Sequence, residues 1–243
     1  MTSASASTAW SDATLLEARG LHRRFGAVPV LRGIELTLAP RDGVVVLGRN
    51  GAGKTTLLRL LAGLARPDAG TVTVGGRPLR GEDRSPRRLV GLMAHRSLLY
   101  GELTPRENLR FTARLFGLGA DAVARALERL ELGRHADRPV HTLSRGLIQR
   151  AALARTLLHD PRVLLLDEPF TGLDAAATER LAALFAAWRE EGRAVLVVSH
   201  QLVEAWPVAT RVLVLHEGRW ALDLPRTGDP AEILRRYREV TGG

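Results

Sequence analysis

Residues Gly48 to Thr55 read Gly-Arg-Asn-Gly-Ala-Gly-Lys-Thr, and this stretch limits the chain's fold more than any other. The apolar run Val44 to Leu47 precedes it, and Leu57, Leu58, Leu60 and Leu61 follow at helical spacing. The order is therefore buried strand, glycine-rich loop, helix. Glycines take up backbone angles that side chains forbid, so successive N–H groups can turn inward at the positive end of the following helix and cradle a phosphate. Gly48, Arg49, Asn50, Gly51, Ala52 and Gly53 would form the cradle, with Thr56 also among the phosphate-binding residues. Lys54 brings a compact mobile charge to the outer phosphates, and Thr55 a hard hydroxyl ligand for magnesium. Of 35 lysines and arginines, Lys54 is the only lysine. A chain that writes arginine everywhere else keeps an ammonium at the one place where a planar guanidinium suits the loop worse.

With 243 residues the chain can bury one good core, or a core with a smaller subdomain. Residues 1–13, rich in Ser, Ala and Thr, read as a loose tail rather than a signal peptide, leaving one domain over 14–243. No apolar run approaches the roughly 18 residues needed to cross a bilayer. Cysteine is absent, which excludes disulfides and thiolate metal sites. The net charge of +9 would suit nucleic acid or an anionic membrane face. The arginines are nevertheless dispersed and follow no aromatic-spaced stripe, so specific nucleic-acid binding is not expected.

Alternating patterns predict strands over Thr14 to Leu21 and Leu31 to Leu38, separated by a turn region at Phe25-Gly26 and Pro29. Further strands are expected at Thr71 to Val74 and Leu89 to Met93, with a Gly75-Gly76 turn between them. From Thr104 to about Leu158 the periodicity is helical, in Pro105 to Phe116, Asp121 to Leu130 and Ser144 to Leu158, which places a helical subdomain over about 96–160. Strands return at Val163 to Leu166, Val195 to Val198 and Val212 to Leu215, with a helix from Ala175 to Glu190. A last helix opens on Asp229 and Pro230, with Glu232 placed for a capping box. The expected fold is α/β: a P-loop core sheet, an antiparallel β flap and an inserted helical subdomain.

Two strand ends carry further chemistry. Val163 to Leu166 leads into Asp167 and Glu168. Beside a P-loop strand, Asp167 would reach magnesium, through water, and Glu168 could polarise an attacking water. His200 ends the strand Val195 to Ser199; alone such a histidine is more often structural, but at a strand end of a P-loop sheet it can contact the γ-phosphate. Leu143 to Arg150 starts a helix at which Ser144 and Gly146 make either a plain cap or a second anion site. A second phosphate site in one chain is resolved if it completes the nucleotide site of another copy. Guanine recognition by an Asn-Lys-x-Asp motif is impossible, because the sole lysine is Lys54.

These segments resemble the ATP-binding subunits of ABC transporters over nearly everything from Thr14 onward. The signature lies at Leu143 to Gln149, Walker B at Val163 to Glu168, the D-loop at Thr171-Gly172-Leu173-Asp174 and the switch histidine at His200. The resemblance implies ATP and Mg2+ as ligands, and a dimer of ATP-binding subunits, homomeric by expectation, closing head to tail over two ATP molecules. Ser144 and Gly146 would then meet the γ-phosphate held by the partner's P-loop, Gln149 and Asp174 would also be nucleotide-binding, and Glu168 and His200 would be catalytic. Phe25 stands where the family stacks an aromatic residue on adenine; a packed loop residue is the alternative. It further implies a polytopic membrane permease as partner and a peripheral place on the cytoplasmic face of the cell membrane.

One residue departs from the general family. His95 occupies the position of a glutamine that meets magnesium, and imidazole is a poorer magnesium ligand than an amide oxygen. Haem-exporter ATPases of cytochrome c maturation are similar in having histidine there, followed by Leu-Thr-x-x-Glu-Asn-Leu, as in Leu103 to Leu109. The expected function is ATP hydrolysis driving haem export. Drug, lipid or polysaccharide export and a non-transport soluble ABC ATPase are the alternatives. Leu98, Leu99 and Tyr100 would either receive a membrane subunit or pack inside the helical subdomain.

Overall fold

A computed structural model describes residues 13–242. The tail expected over 1–13 lies almost wholly outside the described residues. Two sheets share the chain. The first, in the order β2-β1-β4-β5, is antiparallel and comprises β1 (Leu16–Phe25), β2 (Val28–Leu38), β4 (Ala69–Val74) and the two-residue β5 (Arg77–Pro78). The second runs β10-β9-β3-β8-β7-β6 and contains β3 (Gly43–Leu47), β6 (Val90–Met93), β7 (Val163–Asp167), β8 (Ala194–Val198), β9 (Arg211–His216) and β10 (Arg219–Pro225). All its pairings are parallel except β9 with β10.

The apolar strands of the second sheet have cores on both faces, as a parallel sheet requires. Along β3 the side chains alternate between the two. Val45 and Leu47 join a core with Leu109, Leu153, Phe185 and Trp188, whereas Val44 and Val46 join the flap residues Leu16, Leu21 and Ile34. Helix α1 (Lys54–Leu61) packs in that second core through Leu57, Leu58, Leu60 and Leu61, and the chain then turns at Gly63, whose φ is +69°. Between β6 and β7 come only helices among the described residues: α2 (Pro105–Phe116), α3 (Ala120–Arg129), α4 (Arg145–Leu157) and short 3-10 turns. A full capping box starts α2, with Thr104 and Glu107 exchanging side-chain-to-backbone hydrogen bonds. The remaining helices are α5 (Ala175–Glu190), α6 (Leu202–Ala205) and α7 (Pro230–Thr241).

Three expectations change. The first hairpin is longer than its hydrophobic alternation suggests: Phe25 pairs with Val28, and Pro29 lies inside β2 opposite Arg24. Proline is tolerated there because β2 is an edge strand of its sheet. The α7 cap is simpler than a capping box, since the Asp229 carboxylate accepts from Ala231 N at 2.8 Å and Glu232 makes no reciprocal bond among the described residues. Strand β10 was not anticipated at all. It is a half-exposed edge in which Trp220, Leu222 and Leu224 alternate with Arg219, Asp223 and Pro225, too weak a pattern to stand out alone.

His159, just after α4, stacks on Phe116 with centroids 4.1 Å apart, and its Nε2 lies 3.2 Å from the Val90 carbonyl. That contact requires Nε2–H to donate and leaves Nδ1 bare. Burial pushes the imidazole pKa below its ordinary value; the Val90 bond and Asp160 oppose this, and Arg155 and Arg88 add to it. A depressed folded pKa means that the unfolded chain binds the proton first. The stabilisation is therefore complete above pH about 6.5 and drains away as pH falls below it. The melting temperature should drop from pH 7 to 5, and His159→Phe, which keeps the stack, should flatten that drop. An equal drop in both proteins would locate the acid sensitivity elsewhere.

Candidate active site

Parallel register brings the chemistry to one edge. Val46 is level with Val198, and Val198 with Asp167, so the residues after each strand emerge side by side. Those residues are the loop 48–53, Ser199 with His200, and Glu168. This is the crevice at the carboxyl ends of parallel strands where α/β sheets hold ligands.

The loop 48–53 leaves no room for side chains at two of its glycines. A Cβ on Gly48 would sit 2.6 Å from the Leu215 carbonyl oxygen. At Gly53, where φ is +104°, it would meet Leu31, Val30 and the Val30 carbonyl, all at 3.0 Å. Lys54 opens α1 and is 9 % exposed, its ammonium donating to the carbonyls of Gly48 at 2.6 Å and Arg49 at 3.1 Å. Burial lowers its pKa, and the negative charges of Glu168 and Asp167 pull it back up. Arg49 also donates to the Thr241 carbonyl at the end of α7, tying the loop to the last helix.

The Thr55 hydroxyl donates to Asp167 Oδ2 at 3.1 Å, across two elements 112 residues apart. Burial raises the Asp167 pKa, against the Thr55 hydrogen bond. A hydroxyl and a buried carboxylate converging in this way form a hard-oxygen donor pair that fits magnesium. Two donors suffice, because that ion is typically held by one or two protein oxygens plus phosphate and water. No cluster of three His, Cys, Asp or Glu residues suited to a metal occurs among the described residues.

Glu168 has φ +52°, a conformation unusual for a side chain of this size, with its N–H donating to the Val198 carbonyl at 2.8 Å. The turn carries its carboxylate off the strand and toward β8. There Oε2 lies 2.8 Å from His200 Nδ1 and 3.4 Å from both Ser199 Oγ and the His200 N–H. His95 lines a cavity of about 190 Å³ together with Asp167, Glu168 and Gln149.

Other residues named from sequence lie apart from this group. Ser144 caps α4, accepting from Leu147 N at 3.4 Å, and Asp174 caps α5, accepting from Ala177 N at 2.7 Å. With Gly146 they line a second cavity, of about 540 Å³, that contains none of the residues Lys54, Thr55, Asp167 or Glu168. Gln149 borders both cavities and donates its amide to the Pro169 carbonyl. Phe25 is 55 % exposed at the tip of the first hairpin, with Arg23 over its ring at 5.0 Å, so it is not a packed core residue. Leu98 and Tyr100 face outward, Tyr100 meeting the exposed Phe111 edge-on at 5.5 Å, whereas Leu99 packs against the core.

The ABC transporter family profile matches residues 31–171, a span that holds the loop 48–53, Ser144 and the Asp167-Glu168 pair. The chain belongs to the ABC transporter family. It is an ATP-hydrolysing subunit of a transporter. Among its relatives, Nod factor export ATP-binding protein I of Burkholderia orbicola (strain AU 1054) is 40% identical, covering 84% of this chain and 68% of that protein. Aliphatic sulfonates import ATP-binding protein SsuB of Pseudomonas putida is 43% identical over 86% of this chain and 76% of its own length. The cytochrome c biogenesis ATP-binding export protein CcmA of Cupriavidus necator is 44% identical over 79% and 86%. Of solved structures, the ATP binding subunit of an ABC transporter superposes with a TM-score of 0.81 at 28% identity, covering 95% of both chains. A dimeric bacterial ABC transporter cassette gives 0.81 at 26%, covering 88% of this chain and all of that one.

In this ABC ATPase, two contributors escaped the reading of the sequence. Ser199 both approaches Glu168 and accepts from Gln201 N at 3.0 Å, which fixes the turn carrying His200. Its only signal was its place between an apolar run and a histidine. Arg145, between Ser144 and Gly146, borders both cavities.

Proposed function

We propose that this ABC ATPase is the motor subunit of an exporter, working as a dimer, by expectation a homodimer, on the cytoplasmic face of a polytopic membrane permease. The observation that carries the reading is the convergence of Lys54, the Thr55–Asp167 pair and the Glu168–His200 pair on one sheet edge. ATP would lay its phosphates along the 48–53 backbone and its adenine against Phe25. Glu168 would accept a proton from the water that attacks the γ-phosphate, while His200 and Ser199 hold that carboxylate in place. Thr55 and Asp167 are the residues that would hold magnesium, whose charge would supply electrostatic stabilisation of the phosphates. The separate cavity at Ser144 and Gly146 is assigned to the nucleotide of the second subunit. No helix among the described residues is long and apolar enough to cross a membrane, and the outward Leu98, Tyr100 and Phe111 are the side chains offered to the permease.

Haem export for cytochrome c maturation is the favoured cargo reading. It is supported by His95, which stands beside Asp167 in place of an amide, and by a 44% identical relative named for cytochrome c biogenesis. Relatives named for Nod factor export and sulfonate import have comparable identity, so drug, lipid or polysaccharide export is the second reading. Deleting the gene and staining membranes for covalently bound haem separates them. Loss of c-type cytochromes, restored by the intact gene but not by a Lys54→Ala copy, is the expected result; normal staining would sink the haem reading.

A further inference from the structure

Arg49 turns its two ends in opposite directions. Inside the loop 48–53 its carbonyl accepts from Ala52 N at 3.1 Å and from Lys54 Nζ at 3.1 Å. Outside the loop its guanidinium donates to the Thr241 carbonyl at 3.3 Å, 192 residues away in the chain. Carbonyls in the last turn of a helix have no intrahelical donor, and the negative end of the helix favours a cation. Arg49 is thus a cap on α7 supplied by the phosphate loop.

α7 is itself anchored. Ile233 is buried in the core that holds Phe185 and Trp188, and Leu234, Tyr237 and Val240 pack against the same cluster. At the end of the helix Thr241 is 4 % exposed, its hydroxyl donating to the Tyr237 carbonyl at 2.8 Å. Gly242, with φ +78°, closes the helix by donating its N–H to the Arg238 carbonyl at 3.0 Å.

We propose that α7 braces the phosphate loop and that Arg49 is the positioning residue that couples them, so that docking of the helix tightens nucleotide binding and nucleotide tightens the docking. The inference deepens the reading of the loop 48–53 as the ATP site and rests on it. Lys54 shows why a brace is needed. A phosphate that draws its ammonium away takes one of the two donors named above from the Arg49 carbonyl, and the link to α7 keeps the residue in place meanwhile. A loop already held in its binding shape loses less entropy on taking up a ligand. Coupling of this kind is reciprocal, so the factor that α7 lends to nucleotide affinity returns as protection of α7.

The test uses the full chain carrying Arg49→Ala, Arg49→Lys or Tyr237→Ala, the last loosening α7 from the core. By calorimetry, Arg49→Ala should bind ADP with magnesium about five-fold more weakly, the low end for coupling between sites. Arg49→Lys should recover most of that affinity, because the contact is one N–H to one carbonyl and an ammonium can supply it. Tyr237→Ala should weaken ADP similarly, and adding it to Arg49→Ala should cost nothing further, since both cut the same link. Turnover should fall at low ATP and recover at saturating ATP, a loss carried by KM rather than kcat. Hydrogen exchange supplies the signature of the brace: ADP should slow exchange at Thr241 and Gly242 in the parent and in Arg49→Lys, but not in Arg49→Ala. Parent ADP affinity in Arg49→Ala would overturn the proposal, as would additive losses in the double variant. A weakened Arg49→Ala with no effect of ADP on α7 exchange in the parent would overturn it too, by placing the guanidinium on the nucleotide itself. If the parent and Lys54→Ala bind ADP alike, the phosphate-loop reading fails, and this inference with it.

Discussion

A Glu168→Gln chain is expected to lose about 10²- to 10⁴-fold in ATP turnover while its affinity for ATP stays within a few-fold, the span for removing a positioned general base. The geometry separates the two quantities. The groups proposed to hold phosphate are the loop 48–53, Lys54 and Thr55, and none of them hydrogen-bonds Glu168. The Glu168 carboxylate is instead aimed by a left-handed turn at φ +52° and steadied by His200 and Ser199. Glutamine keeps that shape and can still meet His200, but it has no lone pair basic enough to take a proton from water. Stability should be nearly unchanged, because the backbone strain is the same in both proteins. Single-turnover hydrolysis set beside equilibrium ATP binding checks the split. Turnover at the parent rate would remove Glu168 from the mechanism, and a parallel collapse of ATP affinity would make it a binding residue instead.

What could be read in advance, and what could not, follows one physical division. Features written in consecutive residues were legible: the apolar runs of β3, β7, β8 and β9, the glycines around Lys54, the caps at Ser144 and Asp229. Helices α2 and α5 start and stop where periodicity places them, at Pro105–Phe116 and Ala175–Glu190. Features that exist only through pairing were not. Pro29 fits β2 because that strand is an edge, and β10 is a strand because β9 offers it a partner; neither fact is local. The same holds at the site. Asp167 and Glu168 and the roles expected of them could be singled out from position, but the contacts that separate them come from the fold: Asp167 is buried against Thr55, and Glu168 is turned out toward His200. Ser199 carried no motif signal and becomes visible only through the carboxylate it approaches, while Arg145, inside the segment Leu143 to Gln149, is distinguished only by the two cavities it borders.

The gap between the two half-sites leads to the second large effect. Lys54→Ala and Ser144→Arg should each be inactive as homodimers, yet an equal mixture should recover roughly a quarter of parent activity, since half the dimers are mixed and half their sites intact. Lys54→Ala removes the phosphate charge and leaves two carbonyls, of Gly48 and Arg49, without their donor. Ser144→Arg removes the Leu147 cap and crowds the cavity mouth, at a stability cost of about 0.5–2 kcal/mol for the lost cap. Each defect falls on a different half-site. In the mixed dimer, the phosphate loop of the Ser144→Arg chain meets the intact Ser144 of its partner. A cis arrangement predicts no recovery, because every chain is then broken in its own site. Activity alone would not distinguish that outcome from two sites obliged to fire together. The same mixture is therefore made with Glu168→Gln in both chains and scored for ATP-driven dimers. Dimers without turnover would mean sharing with strict coupling between sites, and no dimers in a mixture whose parent Glu168→Gln chain dimerises would overturn sharing across the interface.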